Sequence, residues 1–178
     1  MKMQRNSEEK YVLIFNATTL IVLRELQFRE LIGRIREQNI AKVIIPESVK
    51  REFLKAGERI DIISNDIPLN HTVTDSIDLT IPRSLGDGEK QAIAIAYMLT
   101  RSGSESTVVV VTDERKARSV CKKIGVKVLG TLGLIEFSKK HGILTKEEAL
   151  SLLDMIPMTS LYIKPELLEE ACTRIRQQ

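Results

Sequence analysis

Three observations predict an α/β domain built on a mainly parallel sheet. Thr107-Val-Val-Val-Val-Thr-Asp113 holds four consecutive valines between polar edges. Such a run reads as a short strand buried on both faces, the habit of parallel sheets. Tyr11-Val-Leu-Ile-Phe15 is a second apolar run, followed at once by Asn16 and a helix-like stretch from Ala17 to Leu26. Strand-like and helix-like segments then alternate along the chain, the pattern of a three-layer α/β/α sandwich. Asn16 and Asp113 therefore stand at the carboxyl ends of strands, the edge where ligands bind in open α/β sheets.

The remaining elements follow in order. An amphipathic stretch runs from Leu26 to Gln38, and Lys42-Val-Ile-Ile45 is a short strand. Pro46 opens a helix through about Ala56, at a first-turn position where its missing N–H costs nothing, and Gly57 ends it. Residues 58–85 are the least regular part. Ile60-Asp-Ile-Ile63 is a candidate strand, and the period-two alternation of Ile77-Asp-Leu-Thr-Ile81 suggests an edge strand. Leu85-Gly-Asp-Gly-Glu89 then starts an alanine-rich helix through Leu99.

After the valine strand, a helix from Glu114 to about Ile124 ends at Gly125, and Val126-Lys-Val-Leu129 is the next strand. Another helix runs from Gly130 to Lys140, with Gly142 past its end. Thr145-Lys-Glu-Glu148 has the hydroxyl and carboxylate spacing of a capping box and opens a helix to about Met155. A last helix spans Pro165 to Arg176. The expected organisation is a loose polar tail over 1–10, an α/β domain over 11–142, and a C-terminal helical extension over 143–178 packed on the same domain.

Composition sets the bounds. With 178 residues, 43% apolar and 29% charged, the chain fits one globular domain. No window approaches the roughly 18 apolar residues of a membrane span, and the polar N-terminus lacks a secretory core. The expectation is a cytoplasmic protein whose Cys121 and Cys172 are reduced packing residues. His71 and His141 are isolated, which disfavours zinc sites and histidine-based triads. Basic residues cluster at Arg115, Lys116, Arg118, Lys122, Lys123 and Lys127, and again at Lys50, Arg51, Lys55 and Arg59. They fit either solvated helix faces or a rim contacting phosphates.

Four oxygen-bearing side chains stand out. Asn16 and Asp113 lie at strand ends, and Glu52 lies beside the apolar stripe of its helix, with Val49 and Ala56 as i−3 and i+4 neighbours. Glu89 lies in the first turn of the alanine-rich helix, on the face of Ile93 and Tyr97. Converging acids repel one another, and a divalent cation with oxygen ligands would relieve that repulsion. Each position also has a structural use. Asn16 and Asp113 precede helices as N-caps do, Glu52 fits an exposed helix face, and Glu89 complements a helix dipole. Asp87 and Glu114 fit turn, cap or dipole-complementing roles as well. The set carries more weight than any member.

The same residues form a recognisable series. Ile14-Phe-Asn-Ala-Thr-Thr-Leu-Ile21, Ile45-Pro-Glu-Ser-Val-Lys-Arg-Glu52, Leu85-Gly-Asp-Gly-Glu-Lys-Gln-Ala-Ile93 and Val111-Thr-Asp-Glu-Arg-Lys-Ala-Arg118 resemble the PIN-domain nucleases in order and spacing. Gly130-Thr-Leu-Gly133 resembles the continuation found in the VapC-like toxin subgroup. The resemblance covers about residues 11–142. It implies a compact α/β/α domain that cleaves RNA, with acidic residues holding Mg²⁺ or Mn²⁺. Its acidic quartet falls on Asn16, Glu52, Glu89 and Asp113, with Glu52, Glu89 and Asp113 catalytic, Glu114 an additional metal ligand and Thr112 a supporting hydroxyl. The partners it implies are RNA, a small antitoxin protein and a second copy of the chain.

One position departs from the pattern. The first of the quartet is usually Asp, whereas Asn16 offers an amide oxygen without negative charge, which should lower metal affinity. Some proteins of the subgroup carry Asn there.

The leading expectation is a metal-dependent endoribonuclease in which metal-activated water hydrolyses RNA. Arg115, Lys116 and Arg118 would position its backbone without reading bases. The alternative is a catalytically weakened PIN-like module that binds RNA or a partner. A nucleotide-binding regulatory protein is a third class, but Leu85-Gly-Asp-Gly-Glu89 is neither a Walker loop nor a dinucleotide fingerprint.

Overall fold

A computed structural model describes residues 10–55, 81–103 and 105–177. Its centre is a four-stranded sheet formed by β1 (Tyr11–Phe15), β2 (Ala41–Ile44), β3 (Thr107–Val111) and β4 (Lys127–Leu129). The strands run in the order β2-β1-β3-β4, and every pairing is parallel. The valine run pairs with the first apolar run in full register, from Tyr11 opposite Thr107 to Phe15 opposite Val111.

Both faces of this sheet are covered, which is why its strands can be apolar at successive positions. Val12, Ile14, Val108 and Val110 point to one face and are buried against α4 (Asp87–Arg101) and α5 (Arg115–Lys123). Leu13, Phe15, Val109 and Val111 point to the other. There they join side chains of α1 (Ala17–Glu25), α2 (Glu30–Glu37), α3 (Glu47–Lys55), α6 (Thr131–Lys140), α7 (Lys146–Met155) and α8 (Pro165–Gln177). The fold is the expected three-layer α/β/α sandwich.

Element boundaries follow local chemistry. The amphipathic stretch does not begin at Leu26, because Gln27 turns into the left-handed region at φ 55 and α2 starts only at Glu30. Gly125, at φ 75, ends α5 in a conformation that side chains with a Cβ rarely adopt. Thr145 caps α7 as its spacing suggests: its hydroxyl accepts the Glu148 N–H at 3.1 Å, and Glu148 accepts the Thr145 N–H at 2.9 Å. A short 3₁₀ turn at Ile156–Met158, with Pro157 near its start, was not legible in the sequence. The candidate strand at 60–63 and all but the last residue of the candidate edge strand at 77–81 lie outside the described residues.

The C-terminal helices share the main core. Leu153 of α7 and Ala171 and Ile175 of α8 are fully buried in the same cluster as Leu13 and Phe15. Among the described residues, no helix is long and apolar enough to cross a membrane.

Candidate metal centre

The strand order places the site. From β1 the chain moves to β2 on one side, then returns to β3 and β4 on the other, so the order reverses between β1 and β3. A crevice at the carboxyl ends of strands opens at such a switch point. Asn16 follows β1 and Asp113 lies two residues beyond β3, on the two lips of that crevice. The backbone closes the join, with the Asn16 N–H donating to the Val111 carbonyl at 2.9 Å.

Asn16 is 1% exposed and ties the site together. Its Oδ1 accepts the Ala17 N–H at 2.7 Å, so it does cap α1. Its Nδ2 donates to Thr112 Oγ1 at 3.1 Å and to Glu89 Oε1 at 3.3 Å. One side chain therefore joins the end of β1, the turn after β3 and the first turn of α4.

Glu89 reaches this point because it sits in the first turn of α4, where Glu89 Oε2 also accepts the Gly86 N–H. Glu52, on α3, accepts the Gly88 N–H at 3.0 Å. A Cβ on Gly86 would stand 2.7 Å from Glu89 Oε2 and 3.9 Å from Glu52 Oε1, so both carboxylates border the same loop. Glu52 is an exposed side chain rather than one turned into the interior.

Asp113 is held differently. Its Oδ1 accepts the Thr131 N–H at 2.8 Å, and its Oδ2 accepts the hydroxyls of Thr131 at 2.6 Å and Thr19 at 3.3 Å. It thus satisfies the first N–H of α6 rather than capping the helix that follows it in sequence. The N-cap of that helix is Glu114, which is exposed and donates its own N–H to Thr112 Oγ1 at 3.2 Å. Thr131 and Thr19 are both fully buried. Gly130 is required beside them, since a Cβ there would lie 2.6 Å from Asp113 Oδ1 and 2.7 Å from an Arg118 guanidinium nitrogen.

The structure therefore joins Asn16, Glu89 and Thr112 directly, places Glu52 at the loop carrying Glu89, and sets Asp113 across the crevice next to Thr112. Glu114 stays on the surface, as do Arg115, Lys116 and Arg118; Arg118 also donates to the Thr112 carbonyl at 3.3 Å. Sequence reading quoted Gly130 and Thr131 in the Gly130–Gly133 segment and Thr19 in the Ile14–Ile21 segment, but gave none of the three a part in holding Asp113.

The three acids do not close into a ready-made cluster: among the described residues, no group of three or more His, Cys, Asp or Glu stands positioned for a metal. Each carboxylate is instead turned onto protein donors. The set still suits a hard cation in kind, being oxygen only, without His or Cys. An ionised carboxylate offers about four acceptor positions, and Asp113 uses three. Glu89 uses one on each oxygen, which leaves room for a cation.

The cysteines lie apart from this chemistry. Both are buried, and burial pushes the Cys121 thiol up to about 11, which keeps it protonated at neutral pH.

A parallel α/β domain with amide, hydroxyl and carboxylate oxygens gathered at its switch point belongs to the class that binds ligands at strand ends. A family model described as a PIN domain matches residues 12–177, and the chain belongs to that family. Membership gives it a nuclease-like fold, and PIN domains generally use divalent metal ions. Neither a curated protein nor a solved structure matches the chain.

Proposed function

We propose that the protein is a metal-dependent endoribonuclease of VapC-like type. The observation that carries this reading is the hydrogen bond from Asn16 to Glu89, 73 positions away in sequence, with Thr112 and then Asp113 adjoining on the second lip of the crevice. Asn16, Glu52, Glu89 and Asp113 would hold Mg²⁺ or Mn²⁺, with Glu114 close enough in sequence to Asp113 to join them. Bound there, the ion would polarise a phosphoryl oxygen and supply hydroxide from water at neutral pH.

The chain's own residues prepare that chemistry. Thr131 and Thr19 fix the Asp113 carboxylate, which removes rotamer freedom before substrate arrives. Thr112 Oγ1 accepts from both the Asn16 amide and the Glu114 N–H, locking the turn after β3. Arg115, Lys116 and Arg118 lie on the exposed side of the same turn, where they would hold backbone phosphates without sequence preference. A small antitoxin covering the crevice, and a homodimer, are the partners this reading carries with it.

The test is incubation with a mixed RNA pool in Mn²⁺, Mg²⁺ or EDTA, beside the Asp113→Asn variant. Cleavage that needs metal and is lost in the variant is expected. Metal-dependent cleavage at the wild-type rate in the variant would remove Asp113 from the role. A second reading, a degenerate module that binds RNA without cutting it, is favoured by Asn16 itself, whose amide already meets Glu89 where a cation would otherwise offset its charge. Binding without metal-stimulated cleavage, with activity gained in Asn16→Asp, would select it.

A further inference from the structure

On the far side of Asp113 lies a cleft of about 580 Å³, bounded by α5, the start of α6, the segment before α8, and α8 itself. We propose that it is a subsite for the nucleotide flanking the cleaved phosphate of a single-stranded RNA, with Tyr162 as the platform for its base. The proposal rests on the ribonuclease reading and extends it to substrate positioning.

The cleft adjoins the candidate metal centre at Asp113, which lines it, while Asn16, Glu52 and Glu89 do not. Its volume is that of a typical small-ligand site, ~300–1,000 Å³. Its charge suits a polyanion, with Arg115, Arg118 and Arg174 set against Asp113 and Glu136. Glu136 is already matched: Arg174 donates to both its oxygens, at 3.0 and 2.8 Å. That bidentate pair leaves Arg115 and Arg118 as the positive wall beside Asp113, where a backbone phosphate would pass.

Tyr162 supplies the opposite wall. It is 84% exposed, whereas Tyr11 and Tyr97 are partly buried against the two cores. The two residues before it are anchored. The Ser160 N–H and hydroxyl both donate to Glu25 Oε2 at 2.8 Å, and the Leu161 N–H donates to Thr159 Oγ1 at 3.2 Å. An aromatic that follows an anchored turn loses less freedom on binding than one on a free chain, and every base has a face to stack on it.

The test measures binding without cleavage. A fluorescein-labelled single-stranded RNA of mixed sequence is titrated with full-length protein in EDTA and followed by anisotropy, for wild type, Tyr162→Ala, Tyr162→Phe and Arg115→Ala. Tyr162→Ala should weaken binding about tenfold, the effect of one lost base–aromatic stack, while Tyr162→Phe stays within about twofold. Arg115→Ala should lower the salt slope by about one. Because Tyr162 is exposed, the melting temperature should not move in either Tyr162 variant. Wild-type affinity in Tyr162→Ala would overturn the subsite and point to a protein partner for this face, leaving the ribonuclease reading intact. Tenfold weaker binding alongside no metal-dependent cleavage by wild type would keep the subsite and remove the nuclease. No RNA binding by wild type would overturn the subsite, and the metal-dependent cleavage assay would then decide the ribonuclease reading by itself.

Discussion

Asp113 and Glu89 are carboxylates at one edge of one sheet, yet they are built into the molecule in opposite ways. Asp113 is gripped by a backbone amide and two fully buried hydroxyls, drawn from the start of α6 and from α1. Glu89 rests on a loop N–H and on the amide of Asn16, and its neighbour Glu52 is an exposed side chain that accepts the Gly88 N–H. The Asp113 side is therefore set by core packing, while the Glu89 side is set by the opening turn of one helix.

That contrast can be broken at Asn16, the side chain that spans both lips. Asn16→Asp would place a second carboxylate against Glu89 in a site 1% exposed. Without metal, stability should fall by about 3 kcal/mol, as for an uncompensated buried charge. Mn²⁺ should then raise the melting temperature more than it does in wild type. Urea melts with and without Mn²⁺ check this; unchanged stability would mean the amide does not face the carboxylate.

Gly130→Ala attacks the Asp113 lip. The added Cβ must displace Asp113 or Arg118, and RNA cleavage should drop roughly a hundredfold, the usual cost of a misplacement near 1 Å. Cleavage at the wild-type rate would show that the Asp113 position is not set here.

The hydroxyls grade the same lip. Thr131→Val removes a bond of 2.6 Å to a charged acceptor and should cost about 2 kcal/mol in urea unfolding. Thr19→Val removes one of 3.3 Å and should cost about half of that. The reverse ranking would place the main support of Asp113 on α1.

The smallest effect lies away from the crevice. The Arg34 guanidinium, then the Thr145 N–H, hold the Glu148 carboxyl below its ordinary value of 4.5. Its folded value is the lower one, so this stabilisation is complete above 4.5 and fades as pH falls through the depressed value. The pair is about a third exposed, so Arg34→Met should cost no more than about 1 kcal/mol at neutral pH. The difference from wild type should vanish well below the glutamate range; urea midpoints at the two pH values decide it.

Much of this was legible in the sequence. The four valines announced a strand buried on both faces, and the alternation of elements announced the parallel sandwich, because period and apolarity are local properties. The placement of Asn16, Glu89 and Thr112 was legible because strand ends and first helical turns can be read from neighbouring residues. The use of Thr131, Thr19 and Gly130 was not, because it depends on where α6 docks relative to β3. No local pattern says which carboxylate a buried threonine will face. Glu52 was read beside the apolar stripe of its helix, and its exposed carboxylate does stand with Val49 against Gly88.

Whether the two lips form one metal site is tested most directly by Mn²⁺ binding, followed through the electron paramagnetic resonance of the free ion. Wild type, Asp113→Asn and Glu89→Gln are titrated in parallel, with no RNA present. Either substitution should weaken binding about tenfold or more, the loss expected when a ligand or its close support is removed. Wild-type Mn²⁺ affinity in both variants would mean that these carboxylates serve no common ion.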